Sequence, residues 1–151
     1  YMHSIEAQAL DSPSEFVSQQ ARQYVASNGA EIQHPYADQV FLLYFKGRKS
    51  GQIRRVPLVC VNDGDDLLIV ASKGGADHHP TWYLNIDSDP NVCVRNKADF
   101  YEAYARTLDG EERAVAFDKV KGAMGFFAEY EQKTDRVMPV IRLTRQAHAT
   151  N

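Results

Sequence analysis

A chain of 151 residues, 44% of them hydrophobic, has apolar material for one core and is too short for two ordinary domains. Its 25% charged residues and net charge of -3 exclude wholesale nucleic-acid binding, so any anion site must be a local cluster of basic side chains. The two cysteines, Cys60 and Cys93, each stand in an apolar run, which excludes a disulfide framework and predicts reduced, buried thiols of a cytosolic protein.

Tyr1, ahead of Met2, reads as an added residue and is left out of the fold reasoning; no secretory pattern opens the chain. Ser12-Pro13-Ser14-Glu15 has the chemistry of a helix start, and Phe16, Val17, Ala21, Tyr24 and Val25 recur at helical spacing up to about Ser27. Asn28-Gly29 stops that helix, and Ala30 to Asp38, with Pro35 and no periodicity, is expected to be a loop. No apolar run approaches the roughly 18 residues of a membrane span.

Gln39 to Phe45 reads as a mostly buried strand that ends at the basic turn Gly47-Arg48-Lys49-Ser50-Gly51-Gln52. Arg54 to Val61 resumes as strand, Asn62-Asp63-Gly64-Asp65 is a hairpin signal, and Leu67 to Ala71 returns as its partner. The second glycine loop, Ala71-Ser72-Lys73-Gly74-Gly75-Ala76, follows, so the two loops are expected to cap adjacent antiparallel strands. Pro80 opens a short helix through Trp82, Tyr83, Leu84 and Asn85; Val92 to Arg95 and Phe100 to Thr107 are the next strands. Asp109-Gly110-Glu111-Glu112 is spaced as a capping box for a long helix to about Gln132, with a bend near Gly125. Phe117, Val120, Met124 and Phe127 mark one face of it, continued by Tyr130. Val137 to Leu143 is a last strand whose Pro139 predicts an edge or a bulge.

Between Lys46 and Arg55 stand Lys46, Arg48, Lys49, Arg54 and Arg55 with no acid among them. Alone, this turn reads equally as an anion site or as a solvated hairpin loop. The second loop favours the anion site, because Ser72, Lys73 and the glycine backbone N–H groups can gather on the same negative charge that Lys49 reaches. Trp82 and Tyr83 then offer flat surfaces for an attached ring, although core packing is their default role. His78 and His79 are adjacent and lack a third ligand, so they read as exposed helix-start residues and no metal is expected. Neither loop fits a Walker or Rossmann fingerprint, and no Gly-x-Ser-x-Gly elbow appears. If the chain catalyses, the hard chemistry belongs to a bound cofactor.

At four places the chain resembles the deazaflavin-dependent nitroreductase and quinone reductase family of actinobacteria: Gly47 to Gly51, Pro57-Leu58, Ala71 to Ala76, and Pro80 to Asn85, with Thr134-Asp135-Arg136 as a later match. The resemblance spans about residues 39–143. It implies an α+β, mainly β fold: a split β-barrel of antiparallel strands with flanking helices, flavin-reductase-like. One domain over 1–151 follows, with helix and loop in 1–38 and the barrel in 39–143.

The implied cofactor is coenzyme F420, a planar, phosphate-bearing deazaflavin with an acidic tail. Arg48, Lys49, Ser50, Gly51, Gln52 and Arg54, with Lys73, are expected to hold its phosphate and tail; Val70, Ala71, Ser72, Trp82, Tyr83, Leu84 and Asn85 its ring. The implied reaction is hydride transfer to a small electrophilic acceptor such as a quinone, activated alkene or nitroaromatic, with Tyr130 and Ser72 as candidate proton donors. Val59, Met124, Phe127 and Tyr130 are expected around the acceptor, and where the prodrug-activating members carry further tyrosines this chain has Val59, Met124 and Phe127, which implies a more apolar pocket. A flavin mononucleotide reductase on the same barrel and a non-catalytic deazaflavin carrier remain the alternatives, and Arg54 with Arg55 favours the longer anionic tail over flavin mononucleotide. The first helix carries Glu15 and Arg22 and not a basic face, so a cytoplasmic protein is expected, with peripheral contact at the inner face of the cell membrane and the oligomeric state left open.

Overall fold

The computed structural model describes residues 2–31, 35–75 and 78–146. Tyr1, Ala76 of the second glycine loop and residues 32–34 of the expected Ala30–Asp38 loop lie outside the described residues. Two helices open the chain: α1 (Met2–Gln8), which the sequence did not announce, and α2 (Glu15–Ser27). The cap of α2 is Ser14, whose hydroxyl accepts from the Val17 N–H; the expected cap Ser12 instead accepts from the Ser14 N–H. Asn28 ends α2 in the left-handed region at φ 52°, the conformation asparagine tolerates best after glycine. Ala21 and Tyr24 are buried, whereas Phe16, expected on the same stripe, is 73% exposed.

Seven strands form one curled antiparallel sheet. They are β1 (Val40–Lys46), β2 (Ile53–Val59), β3 (Val61–Asp63) and β4 (Asp66–Val70). After α3 (Thr81–Ser88) come β5 (Asn91–Asn96) and β6 (Asp99–Thr107). The helices α4 (Gly110–Ala123) and α5 (Phe126–Gln132) precede β7 (Val140–Arg145). The spatial order is β2-β1-β5-β6-β7-β4-β3. β2 and β3 occupy opposite edges, yet only Cys60 separates them, so one bent run of chain bridges the two edges and draws the sheet into a split barrel.

β1 is buried over Val40–Phe45 because both of its faces are covered. Phe41, Leu43 and Phe45 join Leu67, Ile69, Val94, Ile141 and Leu143 inside the curl. Val40, Leu42 and Tyr44 pack with Ala21 and Tyr24 beneath α2. A third cluster sets Leu68, Val70 and Val140 against Phe117, Val120, Met124 and Phe127 of the C-terminal helices. Alternation along each strand divides the two faces, as a period of two requires.

Three expectations change. The long helix breaks at Met124-Gly125 into α4 and α5, sharper than a bend. The capping box does not form: Asp109 makes no side-chain cap bond, because Glu112 is drawn to Arg106 at 2.7 and 2.8 Å and to Arg142 at 3.5 Å. β7 lies inside the sheet between β6 and β4, and Pro139 is tolerated because it precedes the strand, where its carbonyl accepts from the Ala71 N–H.

Candidate active site

The turn Gly47–Gln52 joins β1 to β2 and is tied by its own backbone: the Gly47 N–H donates to the Gln52 carbonyl, and the Gly51 N–H to the Gly47 carbonyl, both at 2.8 Å. Gly51 sits at φ 73°, which explains the glycine. A tertiary contact fixes where the turn stands. The side-chain oxygen of Asn85, 4% exposed, accepts from the Arg48 N–H at 3.0 Å and from its guanidinium at 3.1 Å.

Helix periodicity in α3 divides its residues by role. Trp82 and Asn85, three apart, face a cavity of about 490 Å³. Tyr83 and Ile86 face the core, the Tyr83 hydroxyl meeting Thr107 at 3.1 Å, and Leu84 faces solvent. The cavity wall also holds Arg48, Lys49, Ser50 and Arg54 and contains no acid among the described residues. Tyr83, Leu84, Gly51 and Gln52, expected among the binding residues, do not line it.

Arg54 and Arg55 are separated by strand alternation. Arg54 lies opposite Phe45 and Arg55 opposite Tyr44, and although both border the cavity, Arg55 turns toward the segment of α1 and the α1–α2 connection. There Arg55 pairs with Asp11 at 2.5 Å and with Glu6 at 3.7 Å. Its charge is largely compensated internally, so of the two arginines Arg54 gives the stronger support for a longer anionic tail.

The second glycine loop opens elsewhere than expected. β3 pairs with β4 through Val61 and Leu68, which brings the end of β4 beside Val59, at the far end of β2 from the basic turn. The two loops therefore do not cap adjacent strands. Val59, Val70, Ser72, Lys73, Phe127 and Tyr130 line a second cavity of about 760 Å³, with no acid in its wall among the described residues. It shares Ser12, Val56 and Trp82 with the first, so the two cavities adjoin. Lys49 thus lines the first cavity and Lys73 the second. Lys73, at φ 47°, donates its ammonium to Nε2 of His78 at 2.6 Å.

Met124 is 1% exposed in the core and Ala71 fully buried, and neither reaches the cavity. Sequence reasoning missed Tyr36 and Phe126, whose rings stand 5.4 Å apart and continue to Tyr130 at 5.3 Å from Phe126. Tyr36 thereby restores a second phenol to a wall expected to hold only Tyr130; its place in an aperiodic loop gave no signal. Ser12 and Val17 were also missed, as they belong to the N-terminal segment, whose Leu10 pairs with β2 beside Ile53 and Arg55.

The cysteines are unfit as nucleophiles: burial pushes the Cys60 thiol up to about 12 and the Cys93 thiol to about 11. They are free and buried, as expected. His79 is half-buried against Tyr83 and Arg136, contrary to the expected exposure. Among the described residues no group of three or more His, Cys, Asp or Glu is placed to hold a metal, and no helix is long and apolar enough to cross a membrane.

The fold is a split barrel of the flavin-reductase-like kind, and the barrel recurs at low identity in the heme storage protein HutZ of Vibrio cholerae (11% identity over 83% of this chain and 89% of that one, TM-score 0.56). The family model for F420H2-dependent quinone reductase matches residues 16–145, and the chain belongs to that family. An F420H2-dependent quinone reductase of Mycobacterium tuberculosis is 33% identical over 128 residues, covering 82% of this chain and 85% of the relative. A solved F420-H2 dependent reductase is 39% identical, with a TM-score of 0.66, over 70% of this chain and 93% of that one. A second solved chain, described as a domain-swapped dimer, is 34% identical with a TM-score of 0.68, over 87% of this chain and 99% of that one.

Proposed function

We propose that the chain reduces a quinone-type acceptor with coenzyme F420, the anionic tail of the coenzyme lying in the 490 Å³ cavity and its ring, with the acceptor, in the 760 Å³ cavity. The observation that carries this reading is the division of labour between two adjoining cavities that share Trp82 and are lined by no acid among the described residues. One is walled by Arg48, Lys49, Ser50 and Arg54; the other is mainly apolar and aromatic. That donor set fits a planar heterocycle joined to phosphate and carboxylates, since Arg forks and Lys point charges suit both.

When bound, the reduced deazaflavin supplies the hydride. The chain's own residues orient, exclude water and provide the proton. Trp82 stands at the junction of the cavities as an aromatic wall for the ring. Phe126, Phe127 and Val59 keep the acceptor side dry, which strengthens every hydrogen bond made there. The hydroxyls of Tyr130 and Ser72 are placed to donate to an acceptor oxygen as negative charge builds on it, and Tyr130 can pass on its proton and be reprotonated from solvent.

Trp82 fluorescence, titrated with coenzyme F420 and with flavin mononucleotide, tests the cofactor: tighter binding of flavin mononucleotide would reverse the assignment. Anaerobic oxidation of the reduced coenzyme by a panel of quinones, enones and nitroaromatics tests the reaction, and no acceptor-dependent oxidation would leave a carrier. Tyr130→Phe lowers kcat by about 10²-fold with little change in coenzyme affinity; unchanged turnover of every accepted substrate removes Tyr130 from the proton path.

A further inference from the structure

Arg136, the last residue of the Thr134-Asp135-Arg136 run, reaches back to the second glycine loop. One guanidinium nitrogen donates to the Ala71 carbonyl at 3.1 Å and to Nδ1 of His79 at 2.7 Å. The other donates to the Ser72 carbonyl at 2.8 Å. Arginine is a donor only, so Nδ1 of His79 accepts and its ring proton sits on Nε2. Two consecutive carbonyls just after β4 and the residue ahead of the α3 cap are thus tied to one rigid planar group. The Ser72 carbonyl is held a second time, by the Gly75 N–H at 2.9 Å.

A trans peptide sets its N–H opposite its C=O, and the described chain has no cis peptide. Fixing the Ala71 and Ser72 carbonyls toward Arg136 therefore aims the N–H groups of Ser72 and Lys73 the other way. Both residues line the larger cavity. No hydrogen bond among the described residues uses either N–H. Two oriented donors without a protein acceptor beside a cavity are a recognition element for an electron-rich edge.

We infer that Arg136 is a positioning residue of the larger cavity: gripping the Ala71 and Ser72 carbonyls from behind, it presents the Ser72 and Lys73 N–H groups as fixed donors to the carbonyl-and-nitrogen edge of the bound heterocycle. The consequence for the coenzyme rests on the proposed function; the clamp itself belongs to the ligand-free protein. Lysine cannot replace Arg136, because one ammonium does not present two nitrogens in a plane to three acceptors.

Amide hydrogen exchange of the ligand-free protein, beside Trp82 titration with coenzyme F420, tests this in Arg136→Lys, Arg136→Gln and His79→Leu. Arg136→Lys and Arg136→Gln are expected to speed exchange of the Gly75 amide by about tenfold while the β4–β7 ladder stays protected, with His79→Leu in between. Coenzyme affinity falls about tenfold in both Arg136 variants alike. Wild-type exchange and affinity in Arg136→Lys would overturn the inference, since charge alone would then suffice. Ladder amides exchanging as fast as Gly75 would also overturn it, making Arg136 a general stabiliser. If the wild-type protein binds no coenzyme, the proposed function fails, and the exchange arm still decides the clamp.

Discussion

The two glycine-bearing loops solve the same problem, presenting hydrogen-bond donors to a ligand, in opposite ways. In the basic turn Gly47–Gln52 the backbone is consumed by its own bonds and by Asn85, which also holds one end of the Arg48 guanidinium, and the Lys49 side chain with the rest of that guanidinium is left for the cavity. In the loop after β4, side chains do the holding: Arg136 takes the carbonyls and Lys73 is engaged with His78, so backbone N–H groups become the donors. Side-chain cations suit a mobile, variable polyanion; backbone donors suit a rigid ring held in one orientation.

The contrast breaks most severely at Asn85. Asn85→Ala leaves the Arg48 N–H and guanidinium without their buried acceptor and is expected to cost about 2–3 kcal/mol in denaturant unfolding, with coenzyme affinity about tenfold weaker. Asn85→Asp restores stability but not affinity, because it sets a negative charge beside the anion. Equal recovery of both would mean that the turn needs only to be anchored.

On the other loop the matching weak point is Gly75. It sits at φ 81°, and a Cβ there would lie 2.8 Å from the Tyr130 carbonyl and 3.1 Å from the Lys133 side chain. Gly75→Ala is expected to cost about 1–3 kcal/mol and to push α5 outward, lowering kcat about tenfold through Tyr130 while tail binding holds. A fall in coenzyme affinity with kcat intact would place the loop with the tail and erase the distinction.

Lys49 and Lys73 sharpen the comparison on a smaller scale. Lys49→Ala is expected to weaken coenzyme binding about fivefold and to reduce its salt dependence, as loss of an exposed charge pair does. Lys73→Ala changes kcat and leaves the salt dependence in place. If both variants flatten the salt dependence equally, the two lysines share one anion after all, as the sequence alone had suggested.

How far the sequence led follows the same division. The strands, the hairpin at Gly64, α3 and the glycine loops were legible because alternation, turn residues and proline act locally. The cationic wall was legible as composition, and Trp82 as an aromatic beside it, whereas Asn85 was named only through the resemblance. What escaped depended on contacts distant in sequence. Glu112 abandons a capping box for Arg106 and Arg142, Arg55 is claimed by Asp11 some forty positions earlier, and Met124 sinks into the core because periodicity gives a face but not a depth. The bent β2–β3 run is the largest case. Reading it as one strand of a plain hairpin put the two loops side by side, whereas the bend at Cys60 sends them to opposite ends of β2.

The smallest effect is one of pH, and it acts on only one of the two loops. Burial, then the charge of Arg136, lowers the pKa of His79 below its ordinary 6.5, against an opposing pull from Asp87; the edge of the Tyr83 ring packs 5.2 Å away. A histidine favoured in its neutral form adds stability above its unfolded pKa and loses it as pH falls through the lower folded value. Protonation also turns Nδ1 from acceptor to donor, facing a guanidinium that has only donors to offer. As pH falls below about 6.5, Gly75 exchange corrected for its intrinsic pH dependence should rise, and Tm should drop by about 1–2 °C more than in His79→Gln, whose amide oxygen goes on accepting. The basic turn Gly47–Gln52 contains no histidine, so anion affinity there, measured with sulfate as a probe of fixed charge, should stay level as pH falls. A parallel loss at both sites would trace the pH effect to the whole barrel and not to the clamp.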